Sequence, residues 1–266
     1  MPEKLFNRTE TLIGGEGLKR LRQAKVAVFG VGGVGGFAAE ALARAPVGEL
    51  LIVDRDLVQP DNLNRQITAT LPALGRAKTA VLQERLLSIN PDLRLRALHT
   101  TLTPDNIGDF IDPSFDYVVD AIDSIRSKVM LLHFCVQHAI PVVSSMGAAR
   151  KLDPARIRVD DISRTRVCPL AREVRKQLRR LGVHRGIKTV YSDEEPLLDL
   201  ASSDRAAPPV AADGIRETVK GTISYLPATF GLFCGATVIR ALLAGLDFPA
   251  RGRADCSVCQ KGTKSE

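Results

Sequence analysis

The sequence predicts an α/β protein: a doubly wound, mostly parallel sheet followed by a basic C-terminal extension. Three observations carry that class. Residues 26–29 are an uninterrupted apolar run, as expected of a strand buried on both faces of a parallel sheet. Gly30, Gly32 and Gly35 follow in G-x-G-x-x-G spacing and lead into a helix-forming run at 38–45, giving strand, tight turn and helix. Apolar runs then alternate with helical patterns as far as Gly147, the rhythm of right-handed β-α-β units with helices on both faces.

Residues 1–25 read as an N-terminal helical arm carrying Arg8. Pro46 and Gly48 close the first helix, and 49–53 form the second strand, ending at Asp54. A loop over 56–71 contains D-N-L-N-R-Q. Residues 77–89 are a helix with Ala77, Val81, Leu82, Leu86 and Ile89 to one side, stopped by Asn90-Pro91. Leu93, Leu95 and Ala97 alternate with arginines and form a strand with one wet face. A buried strand at 117–121 ends near Asp123, followed by a helix at 125–138 and a strand at 141–145.

Past Gly147 the rhythm changes. Ile157 and Val159 mark a strand, and 169–181 a two-faced helix. Its apolar side is Leu170, Val174, Leu178 and Leu181; its basic side is Arg172, Lys176 and Arg179. Residues 193–220, acidic and then rich in Ala and Pro, read as a mobile loop. Residues 221–239 carry no charge and are long enough to span a bilayer, a route to membrane association. Pro227, Ser224, three glycines and three threonines favour a strand-turn-helix buried in the domain core instead. The organisation expected is residues 1–150 as one nucleotide-binding unit with its arm, and 151–266 as a basic extension packed on it.

The charge is unevenly placed. Of the net +7, residues 150–188 hold thirteen Lys/Arg against four Asp/Glu, a local +9, so the remainder is 7 − 9 = −2. Such a concentration suits a polyanionic partner; a solvated charged face is the plainer reading. Five cysteines in no paired framework, and a first stretch M-P-E-K-L-F-N-R unlike a signal peptide, point to a reducing cytoplasm.

The chemistry gathers at the carboxyl ends of the first strands, where such sheets bind ligands. Gly30, Gly32, Gly33 and Gly35 let phosphate approach backbone N–H groups at a helix N-terminus. Asp54 stands where an acidic residue meets a ribose hydroxyl. Asn62, Arg65, Lys78 and Asp123 converge on the same crevice. A nicotinamide enzyme would use the glycines and Asp54 and leave Arg65, Lys78 and Asp123 unexplained. A nucleoside triphosphate employs them all, the cations on phosphate oxygens and Asp123 as a hard ligand for Mg²⁺. Each has a plain alternative: Lys78 as a surface charge, Asp123 as the N-cap of the next helix, Arg65 as a surface ion-pair partner.

G-V-G-G-V-G-G, D-R-D-L-V-Q-P-D-N-L-N-R-Q, G-R-A-K and D-A-I-D-S, in that order over roughly residues 5–150, resemble the adenylating domain of the ubiquitin-activating-enzyme superfamily. The resemblance implies a Rossmann-like adenylating fold and ATP with Mg²⁺ as cofactors. A carboxylate would attack the α-phosphate of ATP to give an acyl-adenylate. It places Asp54 on the ribose, Arg65 and Lys78 on phosphates and Asp123 on the metal. It also implies a homodimer in which Arg8 reaches the neighbouring subunit's ATP.

Two branches compete. Enzymes that adenylate a ubiquitin-like sulfur-carrier protein usually hold Zn²⁺ with two C-x-x-C pairs; this chain has only Cys256 and Cys259, and no structural zinc is expected unless Cys168 and Cys234 or a second subunit contribute. The other branch dehydrates threonylcarbamoyladenosine in tRNA. N-x-N-R-Q, D-A-I-D-S, C-P-L-A-R-E-V-R-K and V-Y-S-D-E-E-P are similar to it over nearly the whole chain, and the basic segment suits a tRNA backbone. That branch implies a tRNA partner bound through Arg172, Lys176 and Arg179, allows a sulfur-carrier-like accessory protein, and implies no DNA. A non-catalytic RNA-binding protein is the remaining class; it would leave the nucleotide crevice idle. Cys168, before Pro169 and near Arg164 and Arg166, sits where a reactive thiolate can form. Cyclisation of an adenylate needs no protein nucleophile, so it is read as structural or substrate-facing. His133 and His138, five apart on one helix, do not share a face.

Overall fold

A computed structural model describes residues 5–199 and 220–248. Among them runs one seven-stranded sheet built from β1 (Lys25–Phe29), β2 (Glu49–Asp54), β3 (Arg94–His99), β4 (Tyr117–Asp120), β5 (Val142–Ser145), β6 (Ile157–Asp161) and β7 (Lys188–Ser192). The order is β3-β2-β1-β4-β5-β7-β6, parallel throughout except that β6 runs antiparallel to β7. Residues beyond Gly147 thus extend the same sheet. The doubly wound, mostly parallel class read from the sequence is the one found.

Strand side chains alternate between two apolar layers, as the period of two requires. Val26 and Val28 pack on the side of α2 (Gly35–Arg44), α3 (Lys78–Ile89) and α7 (Tyr225–Leu242). Ala27 and Phe29 pack on the side of α4 (Ile107–Phe110), α5 (Ile125–Gln137) and α6 (Pro169–Arg180). The N-terminal arm is α1 (Asn7–Gln23), kinked at Gly14 and anchored by Leu18 and Leu21. β3 is one of the two edge strands, its arginines exposed as the alternation predicted.

Several expectations are corrected. The helix after the glycines starts at Gly35 rather than residue 38, so the last motif glycine already lies within α2. Residues 221–239 contain no strand. Their first residues bond elsewhere, Thr222 O accepting from Asn64 Nδ2 at 3.1 Å and Gly221 O from Arg150 N–H at 2.9 Å. The helix begins at Tyr225 with Pro227 in its first turn, where a missing N–H costs nothing. This 18-residue helix is long and apolar enough to cross a membrane by length and composition. Here Gly231 and Gly235 bring it against α2, and Leu226, Phe230, Cys234 and Val238 join the core. On α6, Leu181 falls after the helix and is exposed, while Ala171 fills the apolar side with Val174 and Leu178. Residues 193–199 are described and partly bonded; the rest of the expected loop, 200–219, and Cys256 and Cys259 lie outside the described residues.

Candidate functional site

Strand order reverses between β1 and β4, and the crevice opens beyond their carboxyl ends, as open α/β sheets prescribe. Its volume is about 430 Å³. Gly30, Gly32 and Gly33 form one lip, with the N-terminus of α2 behind them. Gly30 has φ +81°, and a Cβ there would meet the Ala121 carbonyl oxygen at 2.7 Å. Gly35 does not line the crevice; it lets the turn close, because its Cβ would lie 1.7 Å from the Gly30 carbonyl oxygen.

Asp54 ends β2 and is bound at both oxygens: Val31 N–H donates at 2.6 Å and Asp56 N–H at 2.8 Å. It therefore fixes the residue between the first two glycines and keeps free lone pairs facing the crevice. Burial raises its carboxyl above the ordinary value, against the lowering pull of those N–H groups and of Lys78. Lys78 opens α3 with 5% exposure, and its Nζ donates to Asp56 Oδ2 at 2.8 Å. A surface charge it is not. Asp56, which sequence reasoning passed over, aims it; the spacing of 22 residues between the partners carries no periodic signal.

Arg65 lines the crevice while its Nη1 donates to the Asp61 carbonyl at 2.6 Å and to Asn64 Oδ1 at 2.9 Å, with no carboxylate partner among the described residues. Asn62 does not reach the crevice. It is buried, its Oδ1 accepting from Gln59 N–H at 3.1 Å and its carbonyl from the N–H groups of Arg65 and Gln66, so it folds the turn that presents them. Gln66 was missed: it lines the crevice, and its Oε1 is buried without a protein partner among the described residues. Asp123 is exposed in the crevice, and Ser124, not Asp123, stands at the N-cap of α5.

Beyond Asp123 the same crevice continues past Ser127, Met146 and Gly147 to Leu170 in the first turn of α6. Lys220 and Thr222 form the opposite rim there, residues no motif marked. On the outer face of α6, Arg172, Lys176 and Arg179 are exposed and make no ion pair among the described residues. Some neighbouring cations are occupied, Arg156 and Arg158 by Asp193, Arg164 by Asp160 and Arg175 by Thr165, while Arg180 on the same helix is exposed like the three. Arg8 lies exposed in the first turn of α1, outside the crevice lining.

Cys168 is 2% exposed and packs with Val174 and Leu178, a structural rather than substrate-facing residue. Cys234 lies in the other layer, on the buried face of α7, so the two thiols cannot share a metal. Burial pushes the Cys234 thiol up to about 12. No group of three or more His, Cys, Asp or Glu able to hold a metal occurs among the described residues.

Comparison with known proteins agrees with this geometry. The ThiF family model matches residues 6–253. A tRNA threonylcarbamoyladenosine dehydratase of Bacillus subtilis is 39% identical over 253 residues, covering 91% of this chain and 96% of the relative. That of Escherichia coli is 34% identical over 250 residues, covering 90% and 93%. The crystal structure of the Escherichia coli tRNA N6-threonylcarbamoyladenosine dehydratase in complex with ATP superposes with a TM-score of 0.80 at 33% identity, covering 91% of this chain and 94% of that one.

Proposed function

The chain belongs to the ThiF family, and from that premise we propose that it uses ATP to adenylate the threonine carboxylate of threonylcarbamoyladenosine in tRNA and then cyclises it. One observation carries the choice of substrate: a single crevice runs from the glycine turn to the first turn of α6, whose outer face holds unpaired cations. The extension from residue 151 onward is the substrate-binding part of this arrangement. A tRNA substrate places the work in the cytoplasm.

The inventory fits the reaction. A carboxylate is already ionised at neutral pH, so adenylation needs no general base. Its oxygen attacks the α-phosphorus, the bond to pyrophosphate breaks, and an acyl-adenylate remains. The ureido group of the same nucleoside then attacks the acyl carbon. AMP leaves with one carboxylate oxygen, and ring closure releases a proton; the sum is loss of water. What the protein supplies is alignment and positive charge.

ATP fits what the crevice offers: a backbone cradle that side chains at Gly30 or Gly35 would obstruct, the orphaned Gln66 Oε1, and the buried Lys78. Gly30, Gly32 and Gly33 with the α2 N-terminus hold phosphate. Asp54 accepts from the ribose, and Lys78 and Arg65 neutralise phosphoryl oxygens. Asn62 acts through the turn it folds. Mg²⁺ would be held by Asp123 and the phosphates, since it commonly takes one or two carboxylates and keeps the rest for substrate and water. When bound it neutralises charge on the triphosphate.

Loss of the gene should abolish the cyclic nucleoside in tRNA hydrolysates while threonylcarbamoyladenosine accumulates, read by mass spectrometry; an unchanged nucleoside profile would sink the reading. Replacing Arg172, Lys176 and Arg179 together by alanine should weaken tRNA binding and lower the slope of log K against log salt by about 2–3, as fewer phosphates are neutralised. ATP affinity should stay. Collapse of ATP binding with tRNA binding intact would mean α6 is misassigned.

A two-fold dimer with Arg8 completing the neighbour's site is part of the same proposal. Arg8→Ala and Asp123→Ala should each be inactive. Mixed with subunit exchange, random pairing makes about half the dimers mixed with one intact site each, so roughly a quarter of wild-type activity should return. A mixture that stays dead despite confirmed exchange would place Arg8 in its own chain's site or in none.

A further inference from the structure

Under the crevice floor lies an ion pair that none of these roles uses. Asp120 ends β4 and Lys128 lies in the first turns of α5; neither side chain has any exposure. Lys128 Nζ donates to Asp120 Oδ2 at 2.7 Å, to the Ser145 carbonyl at 2.9 Å and to Ser144 Oγ at 3.4 Å. Ser144 Oγ donates to Asp120 Oδ2 at 2.5 Å, and Asp120 Oδ1 accepts from Ile122 N–H at 3.1 Å. All three ammonium protons are used.

Stability does not account for such a group. Taking both charges out of water offsets most of their attraction, and apolar side chains of similar volume commonly serve as well. Apolar side chains could not make two of these bonds, however. One holds Ile122, the residue before Asp123; the other holds the Ser145 carbonyl, just before Met146 and Gly147. Ile122 and Asp123 belong to the nucleotide wall, and Met146 and Gly147 to the wall leading to α6.

We propose that Lys128 and Asp120 are positioning residues that lock the nucleotide wall to the acceptor wall, so that the carboxylate and the α-phosphate meet in line. The proposal rests on the adenylation reading. ATP is gripped mainly by the glycine turn, Asp54, Arg65 and Lys78, none of which touches the pair. Loss of the lock therefore falls on kcat and spares the KM for ATP.

The test compares three variants with the wild type, using ATP and tRNA bearing threonylcarbamoyladenosine. Lys128→Met leaves Asp120 buried and unpaired, and should lose both thermal stability and activity. The apolar triple Asp120→Leu/Ser144→Ala/Lys128→Met should regain most of the melting temperature and keep the KM for ATP within about threefold. Its kcat should stay down by roughly a hundredfold, the scale of a small misplacement of reacting groups. Asp120→Asn, with Lys128 kept and able to give up its proton, leaves a partner for both backbone groups without the ion pair and should recover kcat to within about tenfold. A triple with wild-type kcat would make the pair purely structural, and a KM rise at constant kcat would contradict the division of walls. Should the triple not fold, Asp120→Asn decides: a hundredfold loss of kcat there overturns the proposal. Failure of the reading itself shows separately, as a wild type that makes no AMP.

Discussion

Lys78→Met is expected to lower kcat/KM for adenylate formation by about 10²–10³, the cost of removing one preorganised charge from a transferring phosphoryl group. Methionine keeps the buried stem of the side chain and deletes only the ammonium. Asp56, left alone, has a side chain 51% exposed and remains solvated. Removing the buried ammonium leaves no buried charge without a partner, so the melting temperature should move little. Activity and folding are thus separable at this residue. Steady-state kinetics with ATP as the varied substrate, beside a thermal melt, checks both; a variant that unfolds in step with its loss of activity would show Lys78 to be structural.

Gly35→Ala is expected to destabilise the fold by roughly 3 kcal/mol or more, at the upper end for overpacking. The added Cβ would sit 1.7 Å from the Gly30 carbonyl oxygen and 3.2 Å from the Ala121 Cβ. The nearest obstacle is backbone, which cannot rotate aside as a side-chain end would. For a chain of this size the melting temperature should fall by about 10 °C. ATP should no longer raise it, because opening the turn moves Gly30, Gly32 and the start of α2 together. Gly108→Ala in α4 is the control, since a Cβ there meets nothing within 4 Å. It should stay within about 0.5 kcal/mol of wild type. Equal melting temperatures for the two variants would refute the close-packing account.

The frame of the sheet was legible because buried parallel strands write themselves as apolar runs, and 26–29, 50–53 and 117–119 are such runs. Glycine spacing located the crevice, and Asp54, Arg65, Lys78 and Asp123 line it, whereas Asn62 and Gly35 do not. What escaped was pairwise. Asp56 on Lys78, Asp120 on Lys128 and the orphaned Gln66 depend on neighbours brought together by crossovers, and no period of 2 or 3.6 records them. Asn62 misled because a motif residue that folds a loop is indistinguishable in sequence from one that touches ligand. The strand expected before Tyr225 failed for a related reason. Thr222 and Ile223 are β-forming, but β7 pairs with β6 instead, and the segment bonds to Asn64 and Arg150.

The most direct measurement of the central claim follows oxygen and pyrophosphate together. Purified protein is given ATP, Mg²⁺ and tRNA whose threonylcarbamoyladenosine carries ¹⁸O in its carboxylate. Pyrophosphate should be released only with this tRNA, one ¹⁸O should appear in AMP, and the nucleoside should become lighter by one water. Equal pyrophosphate release with unmodified tRNA, release only with a ubiquitin-like protein, or ¹⁸O found in inorganic phosphate instead of AMP would contradict it.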